Sequence, residues 1–501
     1  MHASVSAAVA AGCLLAAAPA LAQTAPQAPN ELATNFLLLD NYPVHRDCTS
    51  DDSAGVALAE TAAMAQRRAL YLGPGCIVIA NAAALPLLAN MAFIGEAVDA
   101  LGDVPGQGTA FLITDRTVSP FRAAAQGNVA FYGSSFRWPA QTEAAAHAAG
   151  GPIAFPPMLT GDGQGHGISA LRLVHSRVVN AYDLLAMDDG GQIGDVVMDD
   201  VRAYAVHDYF RMRGPTVEVW QISNSLFSVE SDLDARWSVT NTLYTWSANN
   251  STLFHAAGNG TPTAADTTGA SIWASVKNSY VYGVNKVFWA DRGCIQGRYD
   301  LGADAVQNIL QLDPGGCLID FSHDHGAVYA TPPAGAGAVT NANPFAYTIN
   351  QPSPEGAAIV VGPFDGGWFD HGIVSATGSN VGQIEVRVRR PLFAHAAPAT
   401  GIQVSAGGGG TRILLQDAEL LGLTPGSTGL DVEGPVQACI VRDTDFVTLA
   451  QPVLDNSTYG CVFTGNTSAF TTGPAAITGT GGATTGGANA WDKFRHSAAT
   501  D

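Results

Sequence analysis

The sequence predicts an all-β fold, a solenoid of parallel β-strands whose successive turns stack as rungs. Three observations predict it: a composition that favours strands, cysteines spaced by about one rung, and a loose internal repeat. Of the 501 residues, 47% are hydrophobic and only 13% are charged, while 56 are glycine and 27 are proline. Such a chain is too apolar to be disordered, and its few charges favour many short strands over long surface helices.

The cysteine spacing is the second observation. Six cysteines follow Cys13 and fall into three close pairs along the chain. The two members of a pair are separated by 28, 23 or 22 residues, and the pairs are far from one another. One rung of a parallel solenoid takes roughly 20–30 residues, and equivalent positions stack about 4.8 Å apart, within the Cα separation of about 4.4–6.8 Å that a disulfide tolerates. The spacing therefore predicts three bridges, with three unrelated loop closures as the alternative. The predicted pairs are Cys48–Cys76, Cys294–Cys317 and Cys439–Cys461.

A loose repeat in the middle of the chain is the third observation. An apolar residue, a small polar residue two positions later and a strand-like run return at intervals of about 24 residues. SVTNTLY, from residue 238, reads as a further unit. The apolar positions are Val174, Met198 and Ile222, the polar positions are Ser176, Asp200 and Asn224, and the units close on Asp183, Asp208 and Asp232.

The N-terminal segment is expected to direct export. Residues 1–22 look like a secretory signal cut after Ala22, although no Lys or Arg precedes the apolar run, and an N-terminal anchor is the alternative. No later stretch is continuously apolar for long enough to span a bilayer. The mature chain is therefore expected to be secreted or periplasmic, without a transmembrane segment.

The rest of the chain is expected to form one β-helix domain with a helical cap. The expected parts are a leader at 23–46, the β-helix domain at 47–470, a cap helix at about 53–67, a loop excursion at about 331–358 and a flexible Gly/Thr-rich tail at 471–501.

The cap helix begins after an acidic turn. Asp51 or Asp52 can cap it, and Val56, Ala59 and Ala63 form its apolar face. A helix laid across the first rung would cover the open strand edges of a solenoid.

This stretch resembles the N-terminal signature of the pectate-lyase-like superfamily. The matching residues are Asp51-Asp52-Ser53, then GVALAETAAMA, then LYLGPGCIV from Leu70. The match departs from the usual pattern at Gly73, where Pro is common, and at Cys76, where Thr is common. The resemblance implies a right-handed parallel β-helix that works through one lateral face, as in polysaccharide lyases, polygalacturonase-like hydrolases and phage tailspikes.

The net charge limits the partners. The chain carries a formal charge of −20 at pH 7, so long-range repulsion argues against nucleic acid and against unassisted binding of an acidic polymer. A polysaccharide partner is still expected. For an acidic polysaccharide, a local basic group or bound cations would have to make the electrostatic potential positive at one groove.

Cleavage of a polysaccharide on a β-helix needs one of two arrangements. Hydrolysis uses two carboxyl groups, about 5–5.5 Å apart for retention and about 6.5–9.5 Å apart for inversion. Elimination uses a cation, often Ca²⁺ held by acidic ligands, together with a base that removes a proton. No cofactor is predicted with certainty, and Ca²⁺ is an open candidate.

The densest supply of such groups lies at 184–214. If the repeat holds, Asp183, Asp208 and Asp232 stack as a carboxylate column beside His207, which would raise a pKa or recruit a cation. The alternative is that these are solvated turn residues. The candidate catalytic residues are Asp199, His207, Asp208, Arg211 and Asp232, and the candidate substrate-binding residues are Asp188, Asp189, Arg213, Trp220 and Trp246.

Three functional hypotheses follow. The first is an exported enzyme, a polysaccharide lyase or glycoside hydrolase, that cleaves a glycan in an acidic lateral groove. The second is a β-helix without catalysis, for glycan binding or surface adhesion, favoured by the lack of a recognisable catalytic signature and the low number of bases, 23 Lys and Arg. A trimeric tailspike-like depolymerase is a third reading, but an export signal is unexpected there.

Overall fold

The fold was obtained as a computed structural model, which describes residues 36–96, 108–216, 218–228, 242–258, 270–324, 345–350, 357–365, 368–369, 371–378, 383–389, 391–393, 398–406, 411–458, 460–469 and 477–478. Every pairing between strands in these residues is parallel, and strands pair with others about one rung away in sequence. The predicted fold class, a parallel β-helix, is confirmed.

The described strands form three parallel sheets of 19, 13 and five strands. The first sheet comprises Leu37–Leu38, Leu70–Tyr71, Gly75–Ile79, Met91–Ile94, Thr109–Ile113, Asn128–Tyr132, Ser134–Arg137, Ile168–Ala181, Ile193–Ala205, Trp220–Ser223, Leu226–Ser228, Ser271–Tyr282, Cys294–Asp304, Cys317–Asp324, Ala357–Asp365, Gln383–Arg389, Arg412–Gln416, Ala438–Arg442 and Val462–Thr464. The second comprises Phe121–Arg122, Leu159–Thr160, Leu185–Met187, Asp208–Met212, Thr252–Ala256, Lys286–Ala290, Asn308–Leu312, Phe345–Asn350, Gly372–Gly378, Thr400–Ala406, Thr428–Gly434, Gln451–Ser457 and Ile477–Thr478. The third comprises Trp368–Phe369, Leu392–Phe393, Glu419–Gly422, Asp445–Val447 and Thr467–Ala469.

Three α-helices accompany the strands in the described part of the chain. They are the cap helix (Ser53–Gln66), the first lateral helix (Glu143–Ala149) and the second lateral helix (Thr242–Asn250). The run SVTNTLY was therefore wrongly predicted as a strand unit in its described part, because helix begins at Thr242. Short 3-10 turns occur at Leu39–Asn41 and Ala82–Ala84.

Inward side chains stack from rung to rung and fill the interior. Phe210, Phe254 and Phe288 occupy equivalent positions in three successive rungs and are fully buried. The ring centroids of Phe210 and Phe254 are 5.2 Å apart, and those of Phe254 and Phe288 are 5.5 Å apart. Like residues therefore lie over like, as the repeat predicted, and aromatic contacts of this kind add to the free energy gained from burial.

The register of the predicted repeat is correct for two of its three rungs. Met198 pairs with Ile222, but Leu173 rather than Val174 pairs with Met198. The first of these rungs is thus one residue longer than the second. Because side chains alternate along a strand, this shift of one residue places Val174 on the other side of the sheet.

Two of the three predicted polar positions, Asp200 and Asn224, lie where the first sheet bends, but His175 and not the buried Ser176 is the equivalent residue of the first rung. His175, Asp200, Asn224 and Asn278 all have positive φ, between 46° and 52°, a conformation that Asn and Asp tolerate better than most residues. His175 Nδ1 lies 2.9 Å from Asp200 Oδ2, and the Asn278 side chain donates to Asn224 Oδ1 at 2.8 Å. This ladder joins neighbouring rungs, which is a structural role.

The cap helix is confirmed, and of the two acids in the turn before it, Asp51 accepts the backbone N–H of the first helical residue, Ser53, at 3.0 Å. The Asp52 side chain makes no capping bond to the helix. Its carboxylate instead accepts the backbone N–H of Val78 at 3.0 Å, and Asp51 accepts that of Ala80 at 3.1 Å. The two residues therefore tie the start of the helix to the strand Gly75–Ile79.

The buried face of the cap helix also carries an acid, Glu60, whose two carboxylate oxygens have no hydrogen-bond partner. Burial raises the pKa of Glu60 well above its ordinary value of 4.5, with partial opposition from Arg122. The folded chain thus holds this proton more tightly than the unfolded chain, so stability is expected to fall as the pH rises from that ordinary value through the raised one.

Replacing Glu60 with Met keeps the length of the side chain and removes the carboxyl group. We expect the free energy of unfolding to rise by about 1–3 kcal/mol at mildly alkaline pH, and its fall with rising pH to weaken. Urea unfolding at several pH values measures both effects. Glu60→Gln, which is neutral but polar, should remove the pH dependence alone; an unchanged pH slope in both variants would contradict the assignment.

The three predicted disulfides are confirmed. Their Cα–Cα distances are 4.9 Å for Cys48–Cys76, 4.4 Å for Cys294–Cys317 and 4.6 Å for Cys439–Cys461. Cys294 and Cys317 are direct partners in adjacent strands, which is the one-rung relation that the spacing predicted.

Several expected parts of the chain fall wholly or partly outside the described residues. The signal at 1–22 lies outside them. Strand Leu37–Leu38 falls in the expected leader, Phe345–Asn350 in the expected excursion and Ile477–Thr478 in the expected tail; each pairs with a neighbouring rung. None of the helices in the described part of the chain combines the length and the apolar character of a membrane-spanning helix.

Candidate functional site

A compact group of ionisable side chains lies at and near successive strands of the second sheet, beginning at the N-terminal ends of two of them. Asp183 and Asp208 occupy similar places in successive rungs, because the N–H of Leu184 donates to the carbonyl of Asp208 at 3.0 Å. Asp183 precedes strand Leu185–Met187, and Asp208 opens strand Asp208–Met212. We call the group the site cluster; its members are Asp183, Asp188, His207, Asp208, Arg211 and His255.

His207 is held by the buried carboxylate of Asp183. His207 Nδ1 lies 2.7 Å from Asp183 Oδ1, which also accepts the backbone N–H of Asp208 at 2.9 Å. The Asp183 side chain is 4% exposed, whereas that of His207 is 29% exposed. An ionised carboxylate only accepts hydrogen bonds, so Nδ1 carries the hydrogen and Nε2 of the neutral ring can take up a proton.

The electrostatic surroundings adjust the proton affinity of His207. Burial lowers the pKa of the imidazole, but the hydrogen bond to Asp183 and the charges of Asp208 and Asp183 outweigh burial, so that the pKa is raised above its ordinary value of 6.5. A partly exposed imidazole whose proton affinity is raised by neighbouring carboxylates is suited to general acid–base work.

Arg211 joins three carboxylates. Its Nη1 lies 3.0 Å from Asp183 Oδ2 and 2.9 Å from Asp208 Oδ2. Its Nε and Nη2 bind the two oxygens of Asp188 at 2.8 Å and 2.6 Å, the paired geometry that makes Arg–carboxylate bonds strong. Burial lowers the pKa of Arg211, but the bond to Asp188 and the three negative charges raise it above the ordinary value, so the guanidinium stays charged.

His255 extends the cluster to the next rung. It is the in-register partner of Arg211, and its Nδ1 lies 3.1 Å from Asp208 Oδ2. Burial raises the pKa of Asp208, but the bond to His255 and the nearby positive charges outweigh burial and lower it well below the ordinary value. Burial lowers the pKa of His255, while the bonds and charges of Asp208 and Asp291 raise it above the ordinary value.

Aromatic side chains border His207. The Tyr182 ring stacks on the His207 imidazole, with centroids 4.8 Å apart, and the Trp246 ring lies 5.9 Å from it. Trp246 belongs to the second lateral helix, whose first turn is capped by Glu143 of the first lateral helix: Glu143 accepts the N–H of Leu243 at 2.9 Å. The two lateral helices thus hold an aromatic wall beside an imidazole, a combination that suits a sugar ring.

The open rim of the cluster is formed by Asp188 and Arg213. Their side chains are 42% and 46% exposed, and Arg213 Nε lies 3.4 Å from Asp188 Oδ1. Asp183 and Asp208 lie beneath this rim and are nearly inaccessible. A substrate would therefore meet His207 and the rim, and the two buried carboxylates would act through the groups that they hold.

The cluster does not fit the Ca²⁺ site that remained open from the sequence. Potential ligand atoms of Asp183, His207 and Asp208 all lie within 4.8 Å of one another. However, the guanidinium of Arg211 already bonds to both carboxylates at 3.0 Å and 2.9 Å, and Ca²⁺ prefers six to eight oxygen ligands. A cation would have to displace the guanidinium, so we assign no step to a metal.

The structure brings together most, but not all, of the predicted site residues. His207, Asp208, Arg211, Asp188 and Arg213 meet in the cluster or at its rim, and Trp246 borders it. Asp232, the third member of the predicted column, lies outside the described residues.

Three other predicted residues are placed elsewhere. Asp199 lies in the first sheet, where it accepts hydrogen bonds from Ser223 at 2.7 Å and Asn224 at 2.9 Å. Trp220 is fully buried against Phe210 and has no surface to offer a sugar, so that prediction is corrected. Asp189 accepts backbone N–H groups of Gly163, Gly165 and Gly191, a turn-forming role.

His255, Asp291 and Lys286 were missed by sequence reasoning. The chain between Arg211 and its partner His255 includes the second lateral helix, so the interval far exceeds the repeat of about 24 residues on which the prediction depended. The detectable signal was an aromatic pattern: Phe210, Phe254 and Phe288 each precede a polar or aromatic residue that faces outward.

Comparisons with known proteins found matches among solved structures. No protein-family model matches the sequence, and a search of curated proteins found no match. Similar solved structures include the A-module of a mannuronan C-5 epimerase from Azotobacter vinelandii (12% identity, 89% of this chain and 100% of that chain, TM-score 0.39). Others are the surface adhesin PfbA of Streptococcus pneumoniae (12%, 86% and 91%, TM-score 0.36) and the catalytic unit of an α-1,3-glucanase from Streptomyces thermodiastaticus (11%, 89% and 69%, TM-score 0.40). At these values the likeness says nothing about activity.

Proposed function

We propose that this chain is an exported, polysaccharide-active β-helix enzyme that cleaves a uronate-containing glycan by β-elimination, with His207 as the base. The observation that carries the proposal is the bond of His207 Nδ1 to the buried Asp183 carboxylate at 2.7 Å, which leaves Nε2 of a side chain that is 29% exposed to take up a proton. Three disulfides support export, since such bridges persist in oxidising compartments.

In the proposed step, His207 Nε2 removes the proton on the carbon next to the uronate carboxylate. The electron pair of that C–H bond forms a carbon–carbon double bond, and the glycosidic C–O bond on the following carbon breaks. The leaving oxygen takes a proton from water and departs as a hydroxyl group, and the His207 imidazolium then gives up its proton to the hydroxide that remains. Asp183 orients the ring and stabilises the imidazolium that forms, while Tyr182 and Trp246 flank the sugar.

The charge states of the carboxyl groups favour elimination over hydrolysis. A glycoside hydrolase needs one carboxyl group that stays protonated, with a raised pKa, to protonate the leaving oxygen. For Asp188, burial raises the pKa, but the bond and charge of Arg211 outweigh burial and lower it. The pKa of Asp208 is also lowered, so neither supplies that acid, whereas His207 is suited to exchange a proton.

The experiment is a panel of acidic and neutral polysaccharides incubated with the purified protein, with and without Ca²⁺ and a chelator. Elimination leaves an unsaturated uronate, detected by its ultraviolet absorbance, whereas hydrolysis gives new reducing ends without it. New reducing ends without the ultraviolet absorbance of an unsaturated uronate would refute elimination. Binding without either product would favour the non-catalytic alternative.

The pH profile of kcat/KM tests the role of His207. A base must be neutral to accept a proton, so the rate is expected to rise with pH through a pKa above 6.5, the ordinary value for histidine, and then to level off. Initial rates measured across this range, at constant ionic strength, give the profile. A rate that falls through this pKa as the pH rises would show that His207 must be protonated and would contradict its role as the base.

A further inference from the structure

Lys286 lies on the outer side of the second sheet, in line with the site cluster. Strand Asp208–Met212 pairs with Thr252–Ala256, which pairs with Lys286–Ala290, and the in-register residues are Asp208, Thr252 and Lys286. Rungs are spaced by about 4.8 Å, so the Cα atoms of Asp208 and Lys286 are roughly 10 Å apart along the helix axis. Two rungs therefore separate Lys286 from the residue next to His207.

The Lys286 ammonium has no acidic partner among the residues that the structure describes. Its contact is with an indole: Nζ lies 4.2 Å from the centroid of the Trp289 ring. The cationic side chains of the cluster, in contrast, are already engaged, since Arg211 binds three carboxylates and Arg213 lies beside Asp188. Lys286 is thus a cation that is still available for an external anion.

Trp289 is itself fixed from two directions. Its ring stacks on the His255 imidazole, with centroids 4.1 Å apart and planes 6° from parallel, and its Nε1 donates to Asp313 at 2.8 Å. A cation resting on a fixed aromatic ring loses less conformational entropy on binding than a free surface lysine. Burial also lowers the pKa of Lys286, against the charges of Asp313 and Asp208, so an anionic ligand would stabilise the charged form.

The positions on either side of Lys286 are polar but uncharged. Thr252 on one rung and Asn308 on the next are its in-register partners. Both are buried, and Thr252 Oγ1 and Asn308 Oδ1 have no hydrogen-bond partner. The side chains in register with Lys286 are therefore neutral, and the carboxylate charges that act on its ammonium are those of Asp313 and Asp208, in a chain whose formal charge is −20.

We propose that Lys286 binds a carboxylate of an acidic glycan and forms a charge-selecting subsite two rungs from His207. This inference rests on the proposed function and deepens it, because it assigns the residue that would recognise a second uronate of the same glycan. A glycan lying along the helix axis would place one uronate at His207 while another meets Lys286. Lys286 is the local positive group that an acidic polymer needs in order to approach so negative a chain.

Direct binding measurements test the subsite without turnover. The probes are polygalacturonate, alginate and glucuronan, each beside its carboxyl-reduced, neutral form, with binding followed by calorimetry in a His207→Gln background. Lys286→Gln is expected to weaken binding of the bound polyuronate roughly ten- to a hundredfold, the range for loss of a charged hydrogen bond, and Lys286→Arg to restore most of it. Lys277→Gln, which removes an exposed lysine of the first sheet, is the matched control and should bind like the parent.

Each other outcome overturns the subsite. It is refuted if the Lys286→Gln and parent proteins bind equally, if the neutral forms bind as tightly as the acidic ones, or if no polyuronate binds. Failure of the proposed function gives a different result. Charge-dependent binding through Lys286 would persist, but the wild-type protein, which keeps His207, would release no unsaturated product from the polyuronate that it binds.

Discussion

Replacing His207 with glutamine is expected to lower kcat on the cleaved glycan by about 10²–10⁴-fold, the usual contribution of a general base. Glutamine keeps a polar side chain that can bond to Asp183 but cannot take up a proton near neutral pH. If His207 acts in the chemical step, the loss falls on kcat, and KM changes little. Initial rates at several substrate concentrations, followed by the absorbance of the unsaturated product, separate the two parameters.

A second histidine provides the matched control. His175 is exposed, and its Nδ1 lies 2.9 Å from Asp200 in the ladder of the first sheet, a pairing like that of His207 with Asp183 but away from the cluster. His175→Gln is expected to keep wild-type rates. Equal, small losses of kcat in both variants would refute His207 as the base. Equal, large losses of kcat would indicate that removal of either histidine disturbs folding, which circular dichroism detects.

Asp183→Asn provides a finer test of the same pair. The amide oxygen of asparagine can still accept a hydrogen bond from His207, but it carries no negative charge. The His207 ring therefore loses a charge that raises its pKa and stabilises the imidazolium. The pKa in the rate profile should therefore move down. A lower rate with an unchanged pKa would mean that Asp183 has only a structural role.

The fold could be predicted because its signals are local and repeat. Cysteine spacing measured the rung, and Cys294 and Cys317 are indeed direct partners in adjacent strands. The acidic turn, the alanine-rich helix and the following hairpin predicted the cap. The separate functions of Asp51 and Asp52 were less predictable, because a carboxylate can bond to its own helix, to a neighbouring strand or, like Asp51, to both, and only tertiary packing decides among these.

The site could be predicted only where the rung length stays constant. Asp183 and Asp208 are one rung apart without a long insertion, and their meeting with His207 and Arg211 followed from the repeat. The next rung holds the second lateral helix, so His255 joins Asp208 from a distance in sequence that no fixed period indicates. Trp220 illustrates a second difficulty. An aromatic residue can bind a sugar at the surface or pack in the core, and the alternation of side chains does not distinguish these two roles when the register of the strand is uncertain.

Arg211→Met is expected to lower the free energy of unfolding by about 1.5–3 kcal/mol, because the buried carboxylates lose a charged hydrogen-bond partner while His207 and His255 stay beside them. Arg211 is 14% exposed and Asp208 is 2% exposed, so solvent screens this contact weakly. Methionine has a similar length and fills part of the space, so the loss reflects charge more than volume. Urea unfolding measures it, and Arg172→Met is the control, because Arg172 is 53% exposed and lies 3.7 Å from Asp195, a surface pair worth about 0–1 kcal/mol.

The pH dependence of stability separates this charge effect from lost packing. In the wild type the pKa of Asp208 lies below its ordinary value of 3.8, so its contribution is present above that value and is lost as the pH falls through the lowered one. Without Arg211, the buried carboxylates of Asp183 and Asp208 keep only the imidazoles of His207 and His255 as charged partners, so the carboxylate pKa values should rise. The difference in stability between the variant and the wild type should then shrink as the pH falls. A loss in Arg211→Met that is the same at every pH would mean that packing, and not neutralisation of the carboxylates, is what Arg211 supplies.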